Sequence, residues 1–244
     1  MFKESKSQKD EAECILNLIK SCTGLIKKYG YPDNDTRTAS LVNIRLVSYS
    51  NLGITNLLDS WSKGNNTVQQ IIPQLLGLTK VNAKSVRLMG DSLHKTSKLS
   101  LILLGQFQIE NCIVNICTAI GVKSKSMGFY NKANALLTHL GLGSSRLDIL
   151  NTGAQIRNSL HSNGIHHGYK AVDFHSNLKG VQYDFIDGQK VSCATFPHIA
   201  HALECSVEVL DEIFSAPQLK SYPSLIPDTY AMIIGLGGDS EDKP

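Results

Sequence analysis

The chain has 244 residues, 42% of them hydrophobic and 18% charged. That is enough apolar material for a packed core, and it excludes wholesale disorder. A net charge of +3 is too small to attract nucleic acid through bulk electrostatics, so any basic surface has to be local. The six cysteines form no CxxC pair and sit mostly in apolar, helix-like runs. They read as small buried hydrophobes in a reducing, cytoplasmic setting. The opening stretch MFKESKSQKDEAE has no apolar signal core behind its lysines.

In chain order, Ile15, Leu18, Ile19, Cys22, Leu25 and Ile26 recur at helical spacing and predict a helix over residues 10–28, stopped by Gly30. A second helical stripe, Leu41, Ile44 and Val47, predicts a helix over 41–58 that Gly53 weakens. A shorter helix interrupted by Pro73 follows over 68–78, and residues 81–95 are ambiguous. Residues 99–120 form the most apolar run. It is long enough to span a bilayer, but Gln106, Gln108, Glu110, Asn111 and Asn115 interrupt it, so a buried helix of a bundle and no membrane partner is the expectation. Residues 128–140 and 146–163 follow as helices closed by Gly141 and Gly164, the latter capped by Ser144 and Ser145. Val172, Phe174, Val181, Tyr183 and Phe185 alternate with polar residues, and Asp187-Gly188 is a turn signal, which predicts a β-ribbon over 170–193 that includes Val191 and Cys193. Thr195 and Pro197 open a last long helix with Ile199, Leu203, Val207, Leu210 and Ile213 on one stripe. The fold expected is mainly α: a helical bundle over 96–216 with a short β-ribbon, an N-terminal helical extension over 1–95 and a C-terminal tail over 217–244.

The stretch QIRNSLHSNGIHHG, residues 155–168, carries the chemistry. Leu150, Ala154, Arg157 and His161 step by four, three and four, so the last two emerge on a stripe that starts apolar. Arginine offers a rigid donor fork for phosphate oxygens. Histidine titrates where proton transfer is useful near neutral pH. The bland alternative is a surface Arg–His pair at the end of a structural helix. A metal site built from His161, His166, His167 and His175, or from His198, His201 and Cys205, lacks a tight ligand pattern. Neither metal nor cofactor is therefore expected. Gly141-Leu142-Gly143 follows no strand and is a helix-to-helix turn.

RNSLHSNG, late in a helix that follows two others and precedes a β-ribbon and a final helix, resembles the HEPN superfamily over residues 98–216. The resemblance implies a helical bundle and a metal-independent endoribonuclease of defence or toxin–antitoxin systems. It also implies a homodimer that joins two motifs in one cleft, with an antitoxin or defence-complex partner. By that resemblance Arg157, Asn158 and His161 are the catalytic residues. Glu110 and Asn111 on the first bundle helix support them, and His166 and His167 contact RNA. The sequence departs from the family pattern in its spacing. Three residues separate Arg157 from His161 and eight separate it from His166, whereas the pattern has four to six. The alternative is a non-catalytic HEPN-like module for nucleotide binding or dimerisation.

Overall fold

The computed structural model describes residues 6–65, 70, 83–123, 128–220, 222 and 225–229. Among them are seven helices and one two-stranded antiparallel hairpin: α1 (Lys6–Tyr29), α2 (Thr36–Ser62), α3 (Ala83–Ala119), α4 (Phe129–His139), α5 (Ser145–His161), β1 (Phe174–Leu178), β2 (Val181–Phe185), α6 (Phe196–Ser215) and α7 (Pro217–Lys220). The helix expected over 68–78 lies outside the described residues.

The stripes read from the sequence face inward. Ile15, Leu18, Ile19 and Cys22 of α1, Leu41 and Ile44 of α2, and Ile199, Leu203, Val207, Leu210 and Ile213 of α6 all belong to one buried cluster. The cluster also takes in α3, α4, α5 and the hairpin, so the first two helices share the core of the rest. Three helices outrun their predicted ends, α1 by starting at Lys6 instead of residue 10. α2 begins five residues before Leu41 because Asp35 caps it, its carboxylate accepting the Arg37 backbone N–H at 2.9 Å. The ambiguous stretch from Ala83 onward is the first part of α3, and Met89 and Leu93 there pack on a separate small cluster around Leu58 and Trp61. By length and composition Arg87–Ala119 could cross a membrane, yet 56% of its apolar window is buried inside the protein. It packs against α2, α4, α5 and α6. The contact with α6 is close at Gly105, where a β-carbon would stand 2.9 Å from Leu203 Cδ1.

The hairpin differs from its expected form. Its turn is Lys179-Gly180, not Asp187-Gly188. Leu178 pairs with Val181, and both turn residues are left-handed, Lys179 at φ 51° and Gly180 at φ 89°. That is the backbone a two-residue hairpin turn needs. Lysine adopts it here because Asn177 Oδ1 accepts the Gly180 N–H at 2.9 Å and the ammonium reaches Glu208 on α6. Val191 and Cys193 fall outside the strands, and Ile165 and Lys190 make only an isolated bridge. Ser176, Leu178, Tyr183 and Phe185 form the inner face, and Ser176 Oγ sits 2.7 Å from Thr152 Oγ1 of α5.

A buried polar knot joins the start of α2 to the last described residues. Asp35 and Arg37 are a fully buried ion pair, and the guanidinium lies 3.6 Å from the centre of the Tyr31 ring. Ile226 donates its N–H to Asp35 Oδ2 at 3.1 Å and accepts the Thr36 N–H at 2.7 Å. Asn111 Nδ2 donates to Asp228 Oδ1, and Thr229 Oγ1 to Asn115 Oδ1, both at 2.8 Å. This part of the predicted tail is therefore docked as a short bridge, Asp35 to Pro227.

Candidate functional site

The stripe on α5 passes from core to surface. Leu147, Leu150 and Ala154 are buried, Arg157 is half-buried, and His161 is exposed in the last turn. The helix stops there because Asn163 and Gly164 turn left-handed, at φ 56° and 81°. Facing this end of α5, Leu103, Leu104 and Phe107 of α3 complete an open groove of about 550 Å³ with Arg157, Asn158 and His161. Its floor is apolar and wet: Leu104 is 50% exposed and Phe107 36%.

Arg157 is held rather than free. One terminal nitrogen forms an ion pair with Glu110 Oε1, and Nε and the other terminal nitrogen donate to Asn158 Oδ1 at 3.2 and 3.0 Å. A guanidinium carries about five N–H groups. These three bonds leave one on each terminal nitrogen. Glu110 is held in turn by Gln106, whose amide donates to the same carboxylate oxygen at 3.1 Å. Gln106 is fully buried against α5, and there is room for it only because residue 153 is glycine: a β-carbon there would lie 2.3 Å from Gln106 Oε1. The chain of support thus runs from the Gly153 gap through Gln106 and Glu110 to Arg157. His161 makes no hydrogen bond to another described residue, which leaves both ring nitrogens open to a ligand.

The remaining candidates lie elsewhere. Asn111 belongs to the Asp228 knot, off the groove. His166 is 1% exposed, packs on the Phe185 ring at 5.5 Å, and leaves Nε2 without a hydrogen-bond partner. It is not presented to a ligand in this conformation. His167 is exposed on the loop beyond α5, outside the groove lining.

The second histidine group is a packing device. Tyr183 gives its one hydroxyl proton to the His198 carbonyl at 2.9 Å, so His201 Nδ1, also at 2.9 Å, is the donor to that oxygen. His201 Nε2 is then the acceptor facing Cys205 Sγ at 3.7 Å. Burial holds the pKa of both histidines below the usual range and pushes the Cys205 thiol up to about 11, so this pair is no activated nucleophile. Among the described residues no three His, Cys, Asp or Glu side chains converge as a metal site.

Sequence reasoning passed over Gln106, Gly153 and the Leu103, Leu104 and Phe107 floor. The available signal was Gly153, a glycine inside a helix where alanine is about 1 kcal/mol better, which asks for a packing reason. No family model, no curated protein and no solved structure matches the chain.

Proposed function

We propose that this chain is a metal-independent endoribonuclease of HEPN type, a cytoplasmic homodimer acting in a defence or toxin–antitoxin system. The observation that supports this reading is the groove in which a braced arginine and an unbonded histidine share one wall. The two free N–H groups of Arg157 bind non-bridging oxygens of the scissile phosphate and stabilise the charge that grows there. His161 takes the proton of the ribose 2′-OH as that oxygen attacks phosphorus. The P–O bond to the 5′-oxygen of the next nucleotide breaks, and a proton from the matching histidine of the second copy goes to it. The products are a 2′,3′-cyclic phosphate and a 5′-hydroxyl, with no metal in the step. In such a dimer the exposed floor residues Leu104 and Phe107 lie where the second copy would cover them.

Arg157→Ala and His161→Ala are expected to abolish RNA cleavage, each leaving the fold intact, while His166→Ala destabilises the protein without touching a catalytic step. Cleavage is expected to survive EDTA, and light scattering to give a dimer. A second reading, a non-catalytic module for nucleotide binding or dimerisation, is favoured by the bonds that already occupy most of the Arg157 fork. Purified chain that binds RNA at Arg157 without forming cyclic-phosphate ends would decide for it.

A further inference from the structure

Between α5 and β1 the backbone makes a loop that is strained, braced and aimed outward. Lys170 and Ala171 are both left-handed, at φ 60° and 57°, a conformation that side chains with a β-carbon rarely adopt. Gly168 is obligatory, since a β-carbon there would stand 2.0 Å from the Val172 carbonyl oxygen. The loop's base is tied down on several sides. His166 N–H donates to Gln189 and its carbonyl accepts from Gly188, both at 2.9 Å, with the His166 ring buried below. Gly168 N–H donates to Asp187 Oδ1 and Asp187 N–H to Asp173 Oδ1, both at 2.8 Å. The bracing holds up a tip where Tyr169 is 85% exposed, the most open large hydrophobic side chain among the described residues. Backbone strain held by so many bonds at an exposed tip is the pattern that functional loops show.

The charge around the tip selects the partner. His167 and Lys170 are exposed beside Tyr169, and Lys170 Nζ lies 5.4 Å from the ring centre. Lys190 pairs with Ile165 at the loop's base, and the charges of Lys95 and Lys190 help burial to lower the Lys98 pKa, which Glu11 partly offsets. Asp173 and Asp187 each turn one carboxylate oxygen inward, onto a backbone N–H of the loop's own base. An exposed aromatic ring with the Lys170 ammonium beside it fits a base next to a phosphate.

We propose that residues 167–172 form a base-stacking finger, in which Tyr169 stacks on an unpaired nucleobase of single-stranded RNA and Lys170 and His167 meet the flanking phosphates. The proposal rests on the reading of the chain as an RNA enzyme and deepens it. The loop follows the end of α5 that carries His161, so groove and finger are joined by the short stretch from Ser162 to His166.

The test is fluorescence anisotropy of a labelled single-stranded octauridylate with the full chain, against an all-abasic strand of the same length. Stacking on one base is worth about five- to a hundred-fold in affinity. Tyr169→Ala is therefore expected to weaken binding about tenfold on the octauridylate and to leave the abasic strand unchanged. Tyr169→Phe is expected to stay within about twofold, and Gly168→Ala, which keeps the tyrosine but displaces the loop, to behave like Tyr169→Ala. Three results overturn the finger: no binding by the wild type, an unchanged octauridylate affinity in Tyr169→Ala, or equal losses on both strands. A change of oligomeric state with unchanged affinity overturns it in favour of a protein contact. Binding that depends on Tyr169 without any cleavage upholds the finger and refutes the nuclease; cleavage indifferent to Tyr169 does the reverse.

Discussion

Gly153→Ala probes the support behind Arg157 without touching the groove. An alanine inside a helix normally gains about 1 kcal/mol over glycine. Here its β-carbon would lie 2.3 Å from Gln106 Oε1 and 3.2 Å from Gln106 Cδ, with the glutamine fully buried. Overpacking of this kind costs about 1–3 kcal/mol. Moving the amide also breaks its bond to the Glu110 carboxylate, worth about 1.5–3 kcal/mol. The balance is a loss of about 1.5–5 kcal/mol, centred near 3. For a chain of this size about 3 kcal/mol lowers the melting temperature by roughly 6–12 °C. Thermal and guanidinium unfolding followed by circular dichroism measure it. Pairing the change with Gln106→Ala removes the clash, so in that background alanine at 153 should be neutral or stabilising by up to about 1 kcal/mol. A single variant as stable as the wild type, or more so, would show that the Gly153 gap is not what seats Gln106, and the proposed chain of support to Arg157 would fail with it.

Asp35→Ala leaves the buried Arg37 charge unpaired and uncaps α2, so it should destabilise by about 3–5 kcal/mol in denaturant titration; a loss under about 1 kcal/mol would contradict the buried pair. Burial pushes Cys22 and Cys112 up to about 12 and Cys117 and Cys205 to about 11, so these thiols should resist a disulfide reagent at pH 8 until the protein is unfolded. Rapid native labelling of three or more of the six thiols would refute this. His198 and His201 are held below the usual histidine range, by burial first. The unfolded chain protonates them at about pH 6.5 and the folded one only lower, so stability falls as pH drops through about 6.5 and is unaffected by them above it. His201→Gln should flatten that slope in unfolding titrations between pH 7.5 and 5.5, and an unchanged slope would remove His201 from the account.

Much of the helical frame was legible because periodicity reports burial directly: Ile199 to Ile213 and Ile15 to Cys22 are core residues at the spacing the sequence displays. What depended on long-range partners was not legible. The hairpin turn at Lys179-Gly180 carries a lysine where asparagine or glycine is usual, and its stabilising contacts, Asn177 and Glu208, are visible only in three dimensions. Asp187-Gly188 is a turn, closed by the Gln189 N–H on the Ile186 carbonyl at 3.0 Å, but it follows the hairpin instead of joining its strands, and it fastens the loop before β1 by a bond to Gly168 across 19 positions. At the groove, Arg157 and His161 were found from spacing alone. Glu110 lies 47 positions from Arg157, and although Gln106 stands one turn before it on α3, nothing local ties either of them to Gly153. The apolar floor was hidden because Leu104 and Phe107 sit in the same hydrophobic run as the buried Ile102 and Ile109.

The knot at Asp35 bears on when the protein can finish folding. The carboxylate that caps α2 also accepts the N–H of Ile226, 191 positions later. During synthesis at about 5–20 residues per second, that stretch takes roughly 10–40 s to appear. Through this interval Asp35 and Arg37 have each other but lack the segment that seals them, and Thr36, Asn111 and Asn115 lack their final partners. A nascent chain halted before Ile226 should therefore hold its helices while leaving the start of α2 open to proteases, and closure should come as a late, cooperative event once the last docked residues emerge.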